Sequence, residues 1–399
     1  MRIVELAVWV AGPACGGVLA DWGADVIKLE PLDGGDPARS YARLFGDELP
    51  ISPPFEMDNR SKRSVAVDLR SPDGLQIALE LIDQADVFVT NIRAPALARL
   101  GLDYETLHAR CPRLVYAFIS GYGLEGPDAD RAAYDVGAFW ARSGIAAMLT
   151  TPGGDPPFQR GGMGDHTVGV STAGAVCAAL LARDRTGAGQ MVTNSLLRQG
   201  VYTVGFDLSF AIMAGIQIGI GRRNTMGNPT MNNYTAGDGR KFWVIGQEAD
   251  RHWPPMCRAV GRSEWLTDDR FATRAGRAMN AAELIGLLDE LFATKTFDEW
   301  AAAFDTEPEF FWAPINTVDE LMADEQFHAS GALIDVPDDA GGTVMVASPA
   351  DFSATPWQAR SMAPRLGANT REVLAELGRS SDQIEALLAA RRVAEPVLE

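Results

Sequence analysis

The chain has 399 residues, 47% of them hydrophobic, 22% charged and 8% aromatic, which gives a sizeable folded core and excludes a collagen-like, disordered or disulfide-stapled chain. Its 35 Lys+Arg against 53 Asp+Glu leave a formal net charge of −18, which repels nucleic-acid phosphates and anionic membrane surfaces, so neither nucleic acid nor membrane is expected as a partner. At about 150 residues per domain, this length fits two or three domains.

Taken in chain order, residues 3–10 are β-rich, Gly12-Pro13 punctuates, residues 14–22 suit a helix and residues 25–29 return as a strand. Residues 64–69 read as the next strand. Ser71-Pro72-Asp73-Gly74 then opens a helix with Ser71 as its N-cap and Pro72 at its first position, and strands follow at residues 86–90 and 113–119. Strands spaced by helices predict a parallel α/β sheet with helices on both faces. From Gly161 the texture changes, and Gly161-Gly162-Met163-Gly164 leads to Asp165 and an Ala-rich helix over residues 166–183. After the turn Thr186-Gly187-Ala188-Gly189, residues 190–219 read as a second long apolar helix, and the Asn-rich loop 221–239 marks a boundary. Short strands at 233–236 and 241–245 and helices near 248–260, 278–294 and 296–304 make a small α+β unit. A helical pair near 318–327, β-like segments at 333–336 and 343–346 and helices near 370–377 and 382–391 close the chain.

Cys15, Cys111, Cys177 and Cys257 show no C-x-x-C spacing and read as reduced thiols of a cytoplasmic protein. His108 with Cys111 and His252 with Cys257 lack a second ligand pair, so no metal is expected. Residues 1–20 have the apolar texture of a signal peptide, but Glu5 interrupts the run and export is not expected. The apolar stretch 208–220 contains Gln217 and is shorter than the ~18 residues of a membrane span.

Two familiar motifs are absent. The first turn, Ala11-Gly12-Pro13-Ala14-Cys15-Gly16, lacks the G-x-G-x-x-G of nicotinamide-binding enzymes. Gly169-Val170-Ser171-Thr172-Ala173 misses the hydrolase elbow by its last glycine and lies inside a predicted helix. Asn59-Arg60-Ser61-Lys62-Arg63 gathers three cations in a chain with only four lysines, and such a cluster either holds the phosphates of an anionic ligand or is a solvated loop with local ion pairs. Asp165, preceded by glycines and followed by a helix, is either a plain N-cap or a carboxylate able to attack an activated acyl group.

Many short motifs in one order give the chain a family likeness. Val10-Ala11-Gly12-Pro13, Gly23-Ala24-Asp25-Val26-Ile27-Lys28-Leu29-Glu30-Pro31, Gly35-Asp36-Pro37, Lys62 to Leu69, Ala85-Asp86-Val87, Asn91, Leu100-Gly101-Leu102, Gly121-Tyr122-Gly123, Gly126-Pro127, Tyr134-Asp135 and Gly164-Asp165 resemble the class III CoA-transferases, the CaiB/BaiF family, along essentially the whole chain. The resemblance implies a large Rossmann-like domain from both chain ends, residues 1–221 and 318–399, the latter including a linker. It also implies a small domain from residues 222–317 and a homodimer of interlocked subunits. The implied reaction is CoA transfer from an acyl-CoA to a small carboxylic acid, with CoA as substrate and no permanently bound cofactor. Asp165 falls at the family's catalytic aspartate, with Met163, Gly164 and Tyr134 lining the site and glycine N–H groups available to a developing oxyanion. Positions matching the family's CoA contacts are Trp9, Val10 and Ala11, Lys62 and Arg63 at the phosphates, Asn91, Ile92 and Arg99, and Arg39 more weakly. Val10 stands where formyl-CoA transferase has a glutamine, and that enzyme's glycine-rich loop has no counterpart in residues 226–239, which argues against formyl-CoA and oxalate as the pair. Phe139, Trp140, Phe158 and Met163 either line an acyl pocket or belong to the core.

Two other readings are weighed. A 2-methylacyl-CoA racemase shares the fold, but racemases resembling this family place a His before Asp135, where this chain has Tyr134, a phenol that ordinarily keeps its proton well above neutrality. His166 is expected to point away from Asp165. A non-catalytic acyl-CoA-binding scaffold would show no exchange of CoA into any acid.

Overall fold

Near-continuous apolar runs need cover on both faces, and those of the first third of the chain find it as parallel strands. In the computed structural model, which describes residues 1–46, 49, 51–338 and 341–396, these are β1 (Arg2–Leu6), β2 (Asp25–Glu30), β3 (Arg63–Val67), β4 (Val87–Thr90), β5 (Val115–Ser120) and β6 (Met191–Ser195). They hydrogen-bond in the order β3-β2-β1-β4-β5-β6, every pair parallel. Alternate residues face opposite sides. Ile3, Val26, Val87 and Val115 join one core with helix α1 (Ala11–Asp21) and the long helix Met163–Thr186. Val4, Ile27, Val65 and Phe88 join another with Ile77 and Leu81, and with Val373, Leu374 and Ile384 from the end of the chain. The long helix is the one described helix long and apolar enough to cross a membrane; Val168, Ala173 and Val176 on it are buried in the first of these cores.

The chain divides into two compact units, Met1–Met148, Pro157–Ile218 and Gly331–Glu399 as one, and Leu149–Pro156 with Gly219–Ser330 as the other. The second unit holds the antiparallel strands β7 (Met231–Thr235), β8 (Lys241–Ile245) and β9 (Trp312–Pro314) over an aromatic core of Tyr234, Phe242, Phe292, Trp300 and Phe304. Its last helices, Val318–Met322 and Glu325–Ala329, lie beyond the boundary at residue 317 expected from the sequence. In the first unit β10 (Leu333–Val336) and β11 (Thr343–Val346) form a hairpin, and β12 (Val393–Ala394) pairs antiparallel with β3, adding the end of the chain to the large sheet.

Two local expectations are corrected, and one helix is added. Residues 190–219 are not one helix: they begin as β6 and continue as Leu196–Thr203 and Gly205–Ala214. β6 is an edge strand carrying Thr193 and Asn194, so its pattern was too polar to stand out from the apolar helices that follow. Helix α1 starts at Ala11, with Pro13 in its first turn, where the missing N–H has no intrahelical acceptor to lose. A short helix α2 (Pro53–Asn59) precedes β3 and was not foreseen.

The charged cluster at residues 59–63 turns inward. Glu5 on β1 is wholly buried between two ammonium groups, Lys28 Nζ at 2.9 Å from Oε1 and Lys62 Nζ at 2.7 Å from Oε2. Lys28 also donates to the Ala7 carbonyl and pairs with Asp36, both at 2.9 Å. Lys62 also donates to the Pro13 carbonyl at 2.8 Å and Asn59 Oδ1 at 3.0 Å. The three donors of each ammonium are thereby used. Burial works against Lys28's proton, and the carboxylates of Glu5 and Asp36 outweigh it. Arg60 forks onto buried Asp21, and Arg63 pairs with Asp25, Glu372 and Glu376. Lys62 and Arg63 as a free cluster for phosphates are therefore corrected: the net charge of −18 said nothing about the carboxylates that pair with them, Glu5 inside the sheet and Asp25, Glu372 and Glu376 nearer the surface. Gly16 is required here because a Cβ would overlap the Glu5 carboxylate, and a Cβ on Gly17 would stand 2.6 Å from the Asp58 carbonyl, so this glycine pair lets α2 close on α1.

Removing one partner of such a network leaves charge buried without compensation, typically at about 3–5 kcal/mol. Lys62→Met should lower the urea unfolding free energy by about that amount. A loss under about 1 kcal/mol would mean that the ammonium is not structural.

Candidate active site

The chain order reverses between β1 and β4, the place where parallel sheets of this kind open a crevice at the carboxyl ends of their strands. A cavity of about 160 Å³ lies there. It is lined by Trp9 and Ala11 after β1, Asn91 and Arg93 after β4, Ser120 and Gly121 at the end of β5, and Arg131, Tyr134, Asp135 and Asp165.

The loop after β1 is held from below and from the side. Lys28 and Lys62 grip the carbonyls at its two ends, Ala7 and Pro13. The Asn91 amide clamps Val8, accepting its N–H at 3.0 Å and donating to its carbonyl at 2.7 Å. Trp9 has a left-handed backbone, φ 66°, and its N–H donates to Asp36 Oδ1 at 2.9 Å. A non-glycine residue there costs about 1–3 kcal/mol, and such strain concentrates at functional sites. The indole meets the rings of Tyr134 and Tyr41 edge-on, with centroids 6.0 and 6.4 Å away.

Asp165 enters from the long helix, which starts at Met163 behind Gly162, an N-cap in the left-handed region, φ 75°, with no side chain to offer. Asp165 therefore lies inside the first turn, and the plain N-cap reading is corrected. Its neighbour Gly164 packs so closely on Phe139 and Asp135 that a Cβ would overlap both. Asp135 is buried, accepts the Gly164 N–H at 3.1 Å through Oδ2 and the Gln159 amide at 2.7 Å through Oδ1. The Gly164 N–H is thus committed to Asp135, and the oxyanion role expected of this glycine does not fall to it. Burial foremost, then the charge of Asp135, pushes the Asp165 carboxyl up to about 7; His166 pulls the other way and Asp58 adds to the rise. The helix N-terminus favours the anion, but desolvation outweighs it. The result is a basic carboxylate that is still ionised in a large fraction of molecules at neutral pH. His166, as expected, points elsewhere: its Nε2 lies 3.1 Å from Asp58 Oδ1 on α2.

Of the residues singled out from the sequence, Trp9, Ala11, Asn91, Tyr134 and Asp165 line the cavity together. Val10, Ile92, Met163, Gly164 and Arg99 are not among its lining residues, Arg99 being exposed in the last turn of the helix Ala94–Leu100. Arg39 forks onto Glu30 at 2.8 and 2.7 Å and donates to the Pro364 carbonyl, so it is structural. Phe139 and Trp140 are core residues, while Phe158 is almost fully exposed and outside the cavity lining. Arg93 and Arg131 were missed. Arg93 was within reach of the sequence, two residues past Asn91 at the end of a predicted strand; Arg131 lies in a loop whose return to the cleft no local pattern reveals.

The family model "CoA-transferase family III" matches residues 1–370. The chain is 32% identical over 390 residues to the (R)-2-hydroxy-4-methylpentanoate CoA-transferase of Clostridioides difficile, covering 96% of each chain. It is 33% identical over 396 residues to the cinnamoyl-CoA:phenyllactate CoA-transferase of Clostridium sporogenes, covering 97% of this chain and 95% of that one. Among solved structures, a CaiB/BaiF family protein from Brucella suis superposes with a TM-score of 0.81 at 30% identity, covering 94% of this chain and 98% of that one.

The Asp165 environment has a measurable cost. A carboxyl whose proton affinity is raised on folding binds more protons in the native state, so it subtracts stability as pH rises from the ordinary carboxylate range through about 7. Asp165→Asn should therefore raise the melting temperature by several degrees at pH 8, and the gain should fade by about pH 4. Differential scanning fluorimetry across that range checks it; a gain independent of pH would contradict the raised affinity.

Proposed function

This chain belongs to CoA-transferase family III, and from that premise we propose that Asp165 carries the transfer covalently, from an acyl-CoA donor to a free carboxylic acid. The observation that carries this reading is the Asp165 carboxylate itself: it faces the cavity from the first turn of a helix, and burial and Asp135 make it basic without silencing it at neutral pH. An Asp165 oxygen attacks the thioester carbonyl, the C–S bond breaks and CoA leaves as a thiolate, giving a mixed anhydride. The thiolate then attacks the side-chain carbonyl of Asp165, releasing the donor's acid and leaving an aspartyl-CoA thioester. The acceptor carboxylate attacks that thioester, and the two steps run in reverse to give the new acyl-CoA and free Asp165. Thioester energy is conserved as long as water is kept from the anhydride.

With Lys62 and Arg63 committed to ion pairs, the cations that line the cleft for CoA or a substrate carboxylate are Arg93 and Arg131. A homodimer is proposed as the working form, supported by the exposed apolar side chains of Phe206, Ile212 and Met213 on the helix Gly205–Ala214. A cytoplasmic location is proposed on the four free cysteines.

Asp165→Asn should lose at least about a thousandfold in CoA exchange, because an amide forms no anhydride. Hydroxylamine added to wild type with an acyl-CoA from a screened panel should label Asp165 alone by mass spectrometry; full turnover by the Asn variant would end the covalent reading. A racemase should instead exchange the α-proton. No solvent deuterium is expected at the α-carbon of a 2-methylacyl-CoA, since Tyr134 occupies the place of the second base and His166 is turned to Asp58. Deuterium uptake that depends on Asp165, without exchange into any acid, would favour the racemase.

A further inference from the structure

Three carboxylates gather around the start of the long helix, and one group of opposite charge stands among them. Asp135 and Asp58 both act to keep the proton on Asp165, and of the groups that act on Asp165 electrostatically His166 alone opposes them. Asp58 is brought there by construction. It sits on α2, which closes on α1 over Gly17, and it is buried, 3% exposed. Its Oδ1 meets His166 Nε2 at 3.1 Å, while Oδ2 is buried with no hydrogen-bond partner. A buried carboxylate is costly unless a cation or hydrogen-bond donors meet it. Lys62, which feels the charge of Asp58, spends its donors on Glu5, Pro13 and Asn59, which leaves the imidazole as the donor that Asp58 engages. His166 in turn packs its ring against the bare N-cap Gly162 and beside Val10, one residue from Asp165 in sequence and outside the cavity lining.

We propose that Asp58 and His166 form a charged couple behind the first turn of the long helix that holds a cation next to Asp165 and so keeps its carboxylate ionised in the pH range where it attacks. Both are positioning residues, as neither touches the cleft. The inference rests on Asp165 as the nucleophile. The groups that face the couple are Asp165 and Asp135 on the cleft side and Lys62 beyond Asp58. The Asp58 hydrogen bond is the leading cause that raises the proton affinity of His166, against the pull of burial, so the couple is complete below the His166 titration and dissolves as pH rises through it.

The test is a pH profile of kcat/KM for CoA exchange, using the acyl-CoA of the screened panel that exchanges fastest with its own isotopically labelled acid. His166→Gln should move the acidic limb upward by about one pH unit, a loss of roughly tenfold at pH 6 and little at pH 9. His166→Lys should restore the rate at pH 6 to within about twofold. A loss that is the same at every pH, or an unmoved limb, overturns the proposal. A second readout needs no turnover: the chain has four histidines, and with [13Cε1]histidine labelling the resonance missing from His166→Gln should titrate above free imidazole and move down in Asp58→Asn. An unmoved titration overturns the couple. Were the nucleophile elsewhere, Asp165→Asn would keep its turnover and hydroxylamine would leave Asp165 unlabelled, while the histidine titration would still report whether the couple exists.

Discussion

Everything around the cleft depends on one carboxylate, Glu5, sealed between two ammonium groups in the middle of the sheet. A charge in that position is costly unless every lone pair and proton is matched, and here the match extends outward. Lys28 reaches the carbonyl where the first loop leaves β1, Lys62 reaches the carbonyl inside the first turn of α1, and Asp36, tied to Lys28, takes the N–H of Trp9 between them. The loop that forms one wall of the cavity is thus fixed at its start, middle and end by a single network. Hydrophobic packing alone does not give such a fix, because apolar contacts do not prescribe which carbonyl sits where. The left-handed backbone of Trp9 persists because the network over-determines it.

The same logic separates the carboxylates of the site. Asp135 is buried and receives two hydrogen bonds, one from the backbone of the helix it supports. Asp165, a short distance along the chain from that bond, faces the cavity and lacks comparable support, so burial raises its basicity. Two neighbouring acids are given different surroundings, so that one holds the helix while the other faces the cavity with a raised proton affinity. Gly164 makes this possible, because any side chain there would push the helix off Asp135.

The strands β1 to β5, the helix after Ser71 and the position of Asp165 before a helix were legible because short apolar runs, a capping serine and a glycine approach each leave a local signature. β6 was not, since an edge strand with polar Thr193 and Asn194 merges into the apolar helices after it. Nor was β12, two residues long at the end of the chain, which acquires its strand character from β3. The misreading of Lys62 and Arg63 is instructive. Three cations in four residues look exposed as long as their partners are out of sight, and those partners, Asp21, Glu5, Asp25, Glu372 and Glu376, lie up to hundreds of residues away. Pairing at that range is a property of the fold, and motif resemblance carried the positions forward without it.

The burial of Lys28 and Lys62 also changes the chemistry the folded chain shows to the outside. Of four lysines, the two that remain exposed, Lys241 and Lys295, both belong to the Gly219–Ser330 segment. The unit that carries the cleft therefore presents no exposed lysine amine. Acylating by-products released from a thioester site find nothing nearby on its surface to modify at lysine. Amine-directed tags or cross-linkers used on the native protein would mark the smaller unit and the chain's amino terminus, whereas labelling at Lys28 or Lys62 would report that the large sheet had opened.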